Sequence, residues 1–128
     1  MAWAMATARW AFALLLGAAA CGGDVDDRPA SWSYIVPAIL RPNCATSSCH
    51  SSAARAGDVV LEEPDIAHES LVGDDAMVGL VVPGSPEESK LLKLLRADEV
   101  DRMPPDQPLP VADIELIERW ILDDARPD

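Results

Sequence analysis

Two cysteines and a histidine lie close together in the segment Cys44-Ala-Thr-Ser-Ser-Cys49-His50. Thiols and an imidazole in such a group can form thioether bonds, a disulfide or bonds to a metal ion. Further along the chain, Met103 stands in a proline-rich loop, Met103 to Pro110. Its thioether sulfur is a soft ligand that suits a transition metal. These four side chains, Cys44, Cys49, His50 and Met103, are therefore the candidate functional residues of the chain.

Two cysteines followed directly by histidine are the pattern of covalent c-type haem attachment, usually with two residues between the cysteines. Each thiol adds to one haem vinyl group, and the adjacent histidine ring reaches the iron. Four residues intervene between Cys44 and Cys49, so the loop must bulge to keep both sulfurs at the vinyl groups. Residues 45–48 are all small, which permits that bulge.

The same residues allow other interpretations. A disulfide between Cys44 and Cys49 would close a small loop in an exported protein. A zinc site lacks a fourth ligand. Met103 could fill a gap in the core, as methionine often does. His68 could be a second axial ligand, but its place beside Glu69 on a short polar helix favours a solvated surface residue.

The N-terminus predicts export. Residues 1–20 carry one arginine and an uncharged run over 10–20, which is shorter than the ~20 residues that cross a bilayer. The small residues before Cys21 resemble the lipobox of bacterial lipoproteins. That resemblance implies a signal peptide over 1–20, cleavage before Cys21 and acylation of Cys21, with residues 21–31 as an acidic flexible tether.

The predicted location is the cell envelope, where the lipid on Cys21 would be the chain's attachment to the membrane. We expect the domain to face the periplasm or the cell surface. Gly22, rather than an acidic residue, follows Cys21 and favours the outer membrane by one sorting rule.

Residues 32–126 of the mature chain are predicted to form one mainly α domain with long loops. Ile114, Ile117, Trp120 and Ile121 form an apolar stripe at helical spacing, and Asp113, Glu115 and Glu118 are expected to face water. Ser85, Pro86 and Glu88 predict the start of a helix over 85–96. Shorter helices are predicted over 37–42 and 65–71, with a turn at Gly57-Asp58.

The 22 acidic residues against 10 basic ones give a net charge of −12, which excludes nucleic acid as a partner. The acidic runs 24–27 and 98–101 are expected to be solvated, although they could also steer a basic redox partner. There is no catalytic triad, phosphate loop or HExxH motif, so we predict that the protein is not an enzyme.

Between about residues 35 and 125 the chain resembles the planctomycete-type cytochrome c-like domains found in bacterial lipoproteins and exported proteins. The segments that carry the resemblance are Ile35-Val-Pro-Ala-Ile-Leu40, Cys49-His50, Val82-Pro-Gly-Ser-Pro-Glu-Glu-Ser-Lys-Leu91, Met103-Pro-Pro and Ile117-Glu-Arg-Trp-Ile-Leu-Asp-Asp-Ala125. Two features depart from the family: the longer cysteine spacing, and Ser51 where glycine is frequent.

The resemblance implies a small helical domain whose long loops surround a haem cleft. Cys44 and Cys49 would form the thioethers to one covalent haem c. His50 would be the proximal iron ligand and Met103 the distal one. Trp120 and the leucines of the helix over 85–96 would form apolar walls.

Three functions remain open from the sequence. The first is a lipid-anchored monohaem cytochrome that carries single electrons to or from an unknown redox protein. The second is a haem-free interaction module stapled by a Cys44–Cys49 disulfide. The third is a haem-based sensor or a subunit of a larger redox enzyme, which would need an exchangeable distal ligand.

Overall fold

The computed structural model describes residues 26–73 and 80–128. Over these two ranges the chain forms helices and loops without a strand, so the prediction of a mainly α domain is confirmed. None of the helices there is long and apolar enough to cross a bilayer. The predicted signal peptide over 1–20 and the predicted lipidation site Cys21 lie outside the described residues.

The first helical stretch is longer than predicted. Helix α1 (Trp32–Ile35), a π-helical turn (Val36–Leu40) and helix α2 (Arg41–Cys44) follow one another without a break. Each proline in the stretch stands within the first two positions of a new segment, where its missing N–H is tolerated. The predicted end at Pro42 was therefore wrong, and Cys44 lies in the last turn of the helix.

A tight turn and a helix follow the histidine. The 3-10 turn Ala56–Asp58 contains the predicted Gly57-Asp58 turn, with both residues in the left-handed region at φ of 63° and 59°. Helix α3 (Pro64–Val72) begins one residue before the predicted start at residue 65 and ends one residue after the predicted end. Pro64 takes the first helical position, and the Asp65 carboxylate in the first turn complements the helix dipole.

Helix α4 (Lys90–Leu95) begins five residues later than predicted. The segment before it is a turn in which the backbone carbonyl of Ser85 accepts hydrogen bonds from the N–H of Glu88 and the N–H and hydroxyl of Ser89. The Ser89 hydroxyl also accepts the N–H of Val82 at 2.9 Å, and the residue is fully buried. This hydroxyl competes for backbone groups that a longer helix would use.

Helix α5 (Val111–Leu122) confirms the predicted apolar stripe. Its buried residues are Ile114, Leu116, Ile117, Trp120 and Ile121. Of the acids expected to face water, two are only partly exposed and form ion pairs, so that expectation was wrong for them. Asp113 pairs with Arg28 at 2.6 Å, and Glu118 pairs with Arg96 at 2.7 Å.

The core is built around two tryptophans. The rings of Trp32 and Trp120 stack with centroids 4.5 Å apart, and the His68 ring meets both edge-on. The Nε2 atom of His68 lies 2.8 Å from the carbonyl oxygen of Ala125. The expectation that His68 is a solvated surface residue was therefore wrong, because aromatic packing and this hydrogen bond draw the ring into the domain.

The N-terminal end of the described chain is fixed to α5. Arg28 donates hydrogen bonds to both carboxylate oxygens of Asp26 and, through Nη1, to Asp113 at 2.6 Å. Arg119 of the same helix lies 4.0 Å from Asp26. Within the segment predicted as a tether, residues 26–28 thus contact the domain.

This ion pair predicts a pH effect on stability. Hydrogen bonds from Arg28 lower the pKa of Asp26 from 3.8 to about 2, so the carboxylate stabilises the folded state fully above pH 3.8 and loses that effect as the pH falls through 2. We expect Asp26→Asn to lower the free energy of unfolding in urea at pH 7, with a loss that shrinks between pH 4 and pH 2.

Asp27→Asn is the matched control, because Asp27 is the exposed neighbour of Asp26. Other carboxylates titrate over the same range in both variants, and the difference between the variants removes their contribution. Equal losses for the two variants at pH 7 would contradict the ion pair.

Candidate cofactor site

A cavity of about 430 Å³ lies between α2, α4 and the loops that follow α2 and α4. This volume falls within the range of about 300–1,000 Å³ typical of cofactor and ligand pockets. The four side chains predicted to do chemistry all line it: Cys44, Cys49, His50 and Met103. Residues that lie up to 59 positions apart in the chain are thus brought to one site.

The longer cysteine spacing is absorbed by a closed turn. The N–H of His50 donates to the carbonyl oxygen of Cys44 at 3.0 Å, and the N–H of Cys49 donates to that of Thr46 at 3.0 Å. These two bonds close the loop over residues 45–48, so that Cys49 lines the same cavity as Cys44. The expected bulge therefore exists and has defined hydrogen bonds.

The loop after the histidine is also held in place. The carbonyl oxygen of His50 accepts the N–H of Leu61 at 2.8 Å, which ties the cysteine loop to the apolar run Val59–Leu61. Ser51, the departure from glycine, is buried, and its hydroxyl accepts the N–H of Ala54 at 3.1 Å. A serine is accommodated here because its hydroxyl closes the local turn.

Both cysteine sulfurs are unbridged. Burial, with a smaller contribution from the charge of Cys49, raises the pKa of the Cys44 thiol to about 11. The Sγ atom of Cys49 lies 3.7 Å from the Ser48 hydroxyl. Within the described residues no three His, Cys, Asp or Glu side chains are grouped as a metal site, and this gives the zinc interpretation no support.

One ring nitrogen of His50 lacks a hydrogen bond within the described residues. Its Nδ1 atom is buried and has no hydrogen-bond partner within the described chain. Leaving a buried polar atom unpaired costs about 1–3 kcal/mol, so such atoms in proteins are usually satisfied by a bound group or water. The histidine is thus placed in the cavity wall without a protein partner for that nitrogen.

The methionine is presented by a braced loop. The N–H of Met103 donates to the carbonyl oxygen of Leu94 at 3.0 Å, which fixes the loop to the last turn of α4. Nη2 of Arg102 donates to the carbonyl oxygen of Pro105 at 3.4 Å. The side chain of Met103 lines the cavity and remains 41% exposed, so it is not a core gap-filler.

The cavity walls are mostly aliphatic. Leu91, Leu94 and Leu95 of α4 line it, as the resemblance implied. Trp120 does not, so its expected role in the wall was wrong: it stacks on Trp32 instead. The other aliphatic residues of the cavity wall were not predicted from the sequence: Leu40, Val59, Leu61, Leu71 and Leu80. Only the apolar run over 59–61 gave a local signal for them.

One charged residue lines the cavity. Lys90, the first residue of α4, is exposed and lines the cavity, and it is the single Lys, Arg, Asp or Glu among the described lining residues. The predicted helix over 85–96 would place Lys90 in its interior, but the late start of α4 makes Lys90 the first helical residue.

Comparison with known proteins adds one match. Residues 47–107 match the family model of the Planctomycete cytochrome C. No curated protein and no solved structure matches the chain. The matched segment includes Cys49, His50 and Met103 and begins three residues after Cys44. Over residues 47–107 the chain is thus similar to the Planctomycete cytochrome C family, which confirms the resemblance found in the sequence.

Proposed function

We propose that this protein is an exported, lipid-anchored c-type cytochrome that carries single electrons through one covalent haem. The observation that carries the proposal is that both cysteines, the adjacent histidine and the methionine line one cavity with mainly aliphatic walls. The match to a cytochrome c family over 47–107 agrees with it.

The residues present fit such a group. Cys44 and Cys49 would hold it covalently, and the support for this is that both line the cavity on either side of the hydrogen-bonded turn. His50, whose buried Nδ1 lacks a partner, would supply the proximal ligand, and Met103 the distal one. When bound, the haem supplies one-electron redox chemistry, and the protein holds and buries it.

Histidine and methionine ligands together favour electron transfer over catalysis. With His50 and Met103 both holding the iron, no position would stay open for a substrate. A thioether ligand also raises the reduction potential. The proposal is therefore an electron carrier rather than an enzyme, with a redox protein of unknown identity as its partner.

Location follows from the N-terminus. Acylation of Cys21 would anchor the domain at the cell envelope, facing the periplasm or the cell surface, with the outer membrane favoured. Stable anchoring takes more than one acyl chain, and the lipoprotein pathway provides several.

Covalent attachment is the first test. Protein produced with the c-type maturation machinery and denatured in alkaline pyridine with dithionite should show a c-type band at about one haem per chain. Cys44→Ala and Cys49→Ala should each shift that band towards that of a haem with one free vinyl group, or prevent attachment. Ser48→Ala, a change at a neighbouring cavity residue, should leave the band in place.

A folded, soluble wild-type protein without haem would contradict the proposal. A wild-type band unchanged by Cys44→Ala would show instead that Cys49 alone attaches the haem.

The methionine ligand has a separate test. Met103→Ala should lower the reduction potential and change the visible spectrum of the haem protein. The reason is that the iron then lacks the thioether ligand, which favours its ferrous state. Val100→Ala is the control, since Val100 stands in the same loop region and is 95% exposed. Carbon monoxide should bind the reduced Met103→Ala protein and not the wild type.

An unchanged spectrum in Met103→Ala would remove this residue from the iron. Carbon monoxide binding to the reduced wild type would favour the sensor or enzyme-subunit function, since both need an exchangeable distal position.

A second candidate function is a haem-free interaction module stapled by a Cys44–Cys49 disulfide. The turn that returns Cys49 to the wall beside Cys44 favours it, because the same closure that suits two thioethers also suits a disulfide. Its other support is the four-residue spacing, which is longer than the usual two residues of haem attachment sites.

Thiol reactivity separates the two. In reduced haem-free protein, we expect iodoacetamide to modify Cys44 slowly at pH 8 and faster towards pH 11, since a raised pKa leaves little thiolate at the lower pH. Without reductant, the stapled protein would show no thiol at either position. Two reactive thiols in unreduced, haem-free protein would exclude the staple.

A further inference from the structure

The cavity is lined by one basic residue and by no described acidic residue. The chain carries 22 acidic and 10 basic residues, yet no described acidic side chain lines the cavity. Lys90 does, at the exposed start of α4. A site of this kind suits a ligand that is mostly apolar and carries a negative group at one edge, because a carboxylate near an apolar wall is costly unless it is paired.

The register of α4 fixes which lysine faces the cavity. At about 100° per residue, Lys90, Leu91, Leu94 and Leu95 fall within an arc of about 140° on one side of the helix. All four line the cavity. Lys93 falls about 60° outside that arc, and it is exposed without lining the cavity.

The backbone at the start of α4 is well held. The N–H of Leu91 donates to the carbonyl oxygen of Leu80 at 2.9 Å. The preceding Ser89 is fully buried and its hydroxyl bonds to the backbone of Val82 and Ser85. The Cα atom of Lys90 is thus fixed between two anchored neighbours, so its ammonium samples a restricted region at the cavity.

A haem presents two propionate carboxylates at one edge of an apolar ring. We propose that Lys90 binds a haem propionate, sets that edge of the ring towards the start of α4 and raises the reduction potential. The proposal rests on the proposed function. The reason for the potential is electrostatic: a positive charge near the haem favours the reduced state, which carries one positive charge less at the iron.

The test is the midpoint potential of the haem protein, with haem content measured in parallel. We expect Lys90→Gln to shift the equilibrium about threefold towards the oxidised form. At about 59 mV per tenfold change for one electron, this is a fall of about 28 mV. Lys90→Arg should retain the wild-type potential, because a guanidinium also pairs with a carboxylate.

Lys93→Gln is the matched control, with the same charge change three residues along the same helix. It should leave the potential close to that of the wild type. Added salt should leave most of the effect of Lys90→Gln in place, since a paired group is screened less than a solvated one.

Each outcome is informative. Equal haem content with equal potentials in Lys90→Gln and Lys93→Gln would overturn the assignment of Lys90 and leave the proposed function intact. A wild-type protein without haem would overturn both. A fall in potential for Lys90→Gln alone, rescued by arginine, would support the propionate contact.

Discussion

The hydrogen bond from the N–H of His50 to the carbonyl oxygen of Cys44 is the interaction on which the site depends. Four residues between two cysteines would otherwise let the sulfurs separate along the chain. By closing the loop at its base, the bond keeps both cysteines and His50 at the cavity that all three line. The small side chains over 45–48 make that closure sterically possible, and the tie from Leu61 to His50 fixes its orientation against the domain.

The domain separates its structural aromatic residues from its cavity. Trp32 and Trp120 stack in the core, and each indole N–H donates to a backbone carbonyl, of Pro64 and of Arg126 respectively. None of these aromatic side chains lines the cavity, whose walls are aliphatic. The helices can therefore pack around the tryptophans, while the cavity keeps its shape through backbone hydrogen bonds at the two loops.

Periodicity and local motifs predicted part of this arrangement. The stripe on α5 and the order of cysteines, histidine and methionine were readable, because each depends on neighbouring residues. The start of α4 was not, since the Ser89 hydroxyl takes backbone groups through contacts with Val82 that no periodicity reveals. The burial of His68 was missed for a similar reason: it depends on Trp32 and Ala125, which are distant in the sequence.

The ion pair of Asp26 and Arg28 with α5 has a consequence for how far the domain can travel. If Cys21 carries the lipid, five peptide steps separate the anchor from the docked carboxylate, a span of at most about 18 Å. A tether that ran freely to residue 31 would reach about twice as far. With Cys21 acylated, this shorter span would hold the domain close to the bilayer surface, and its encounters with partners at the same membrane would become a two-dimensional search.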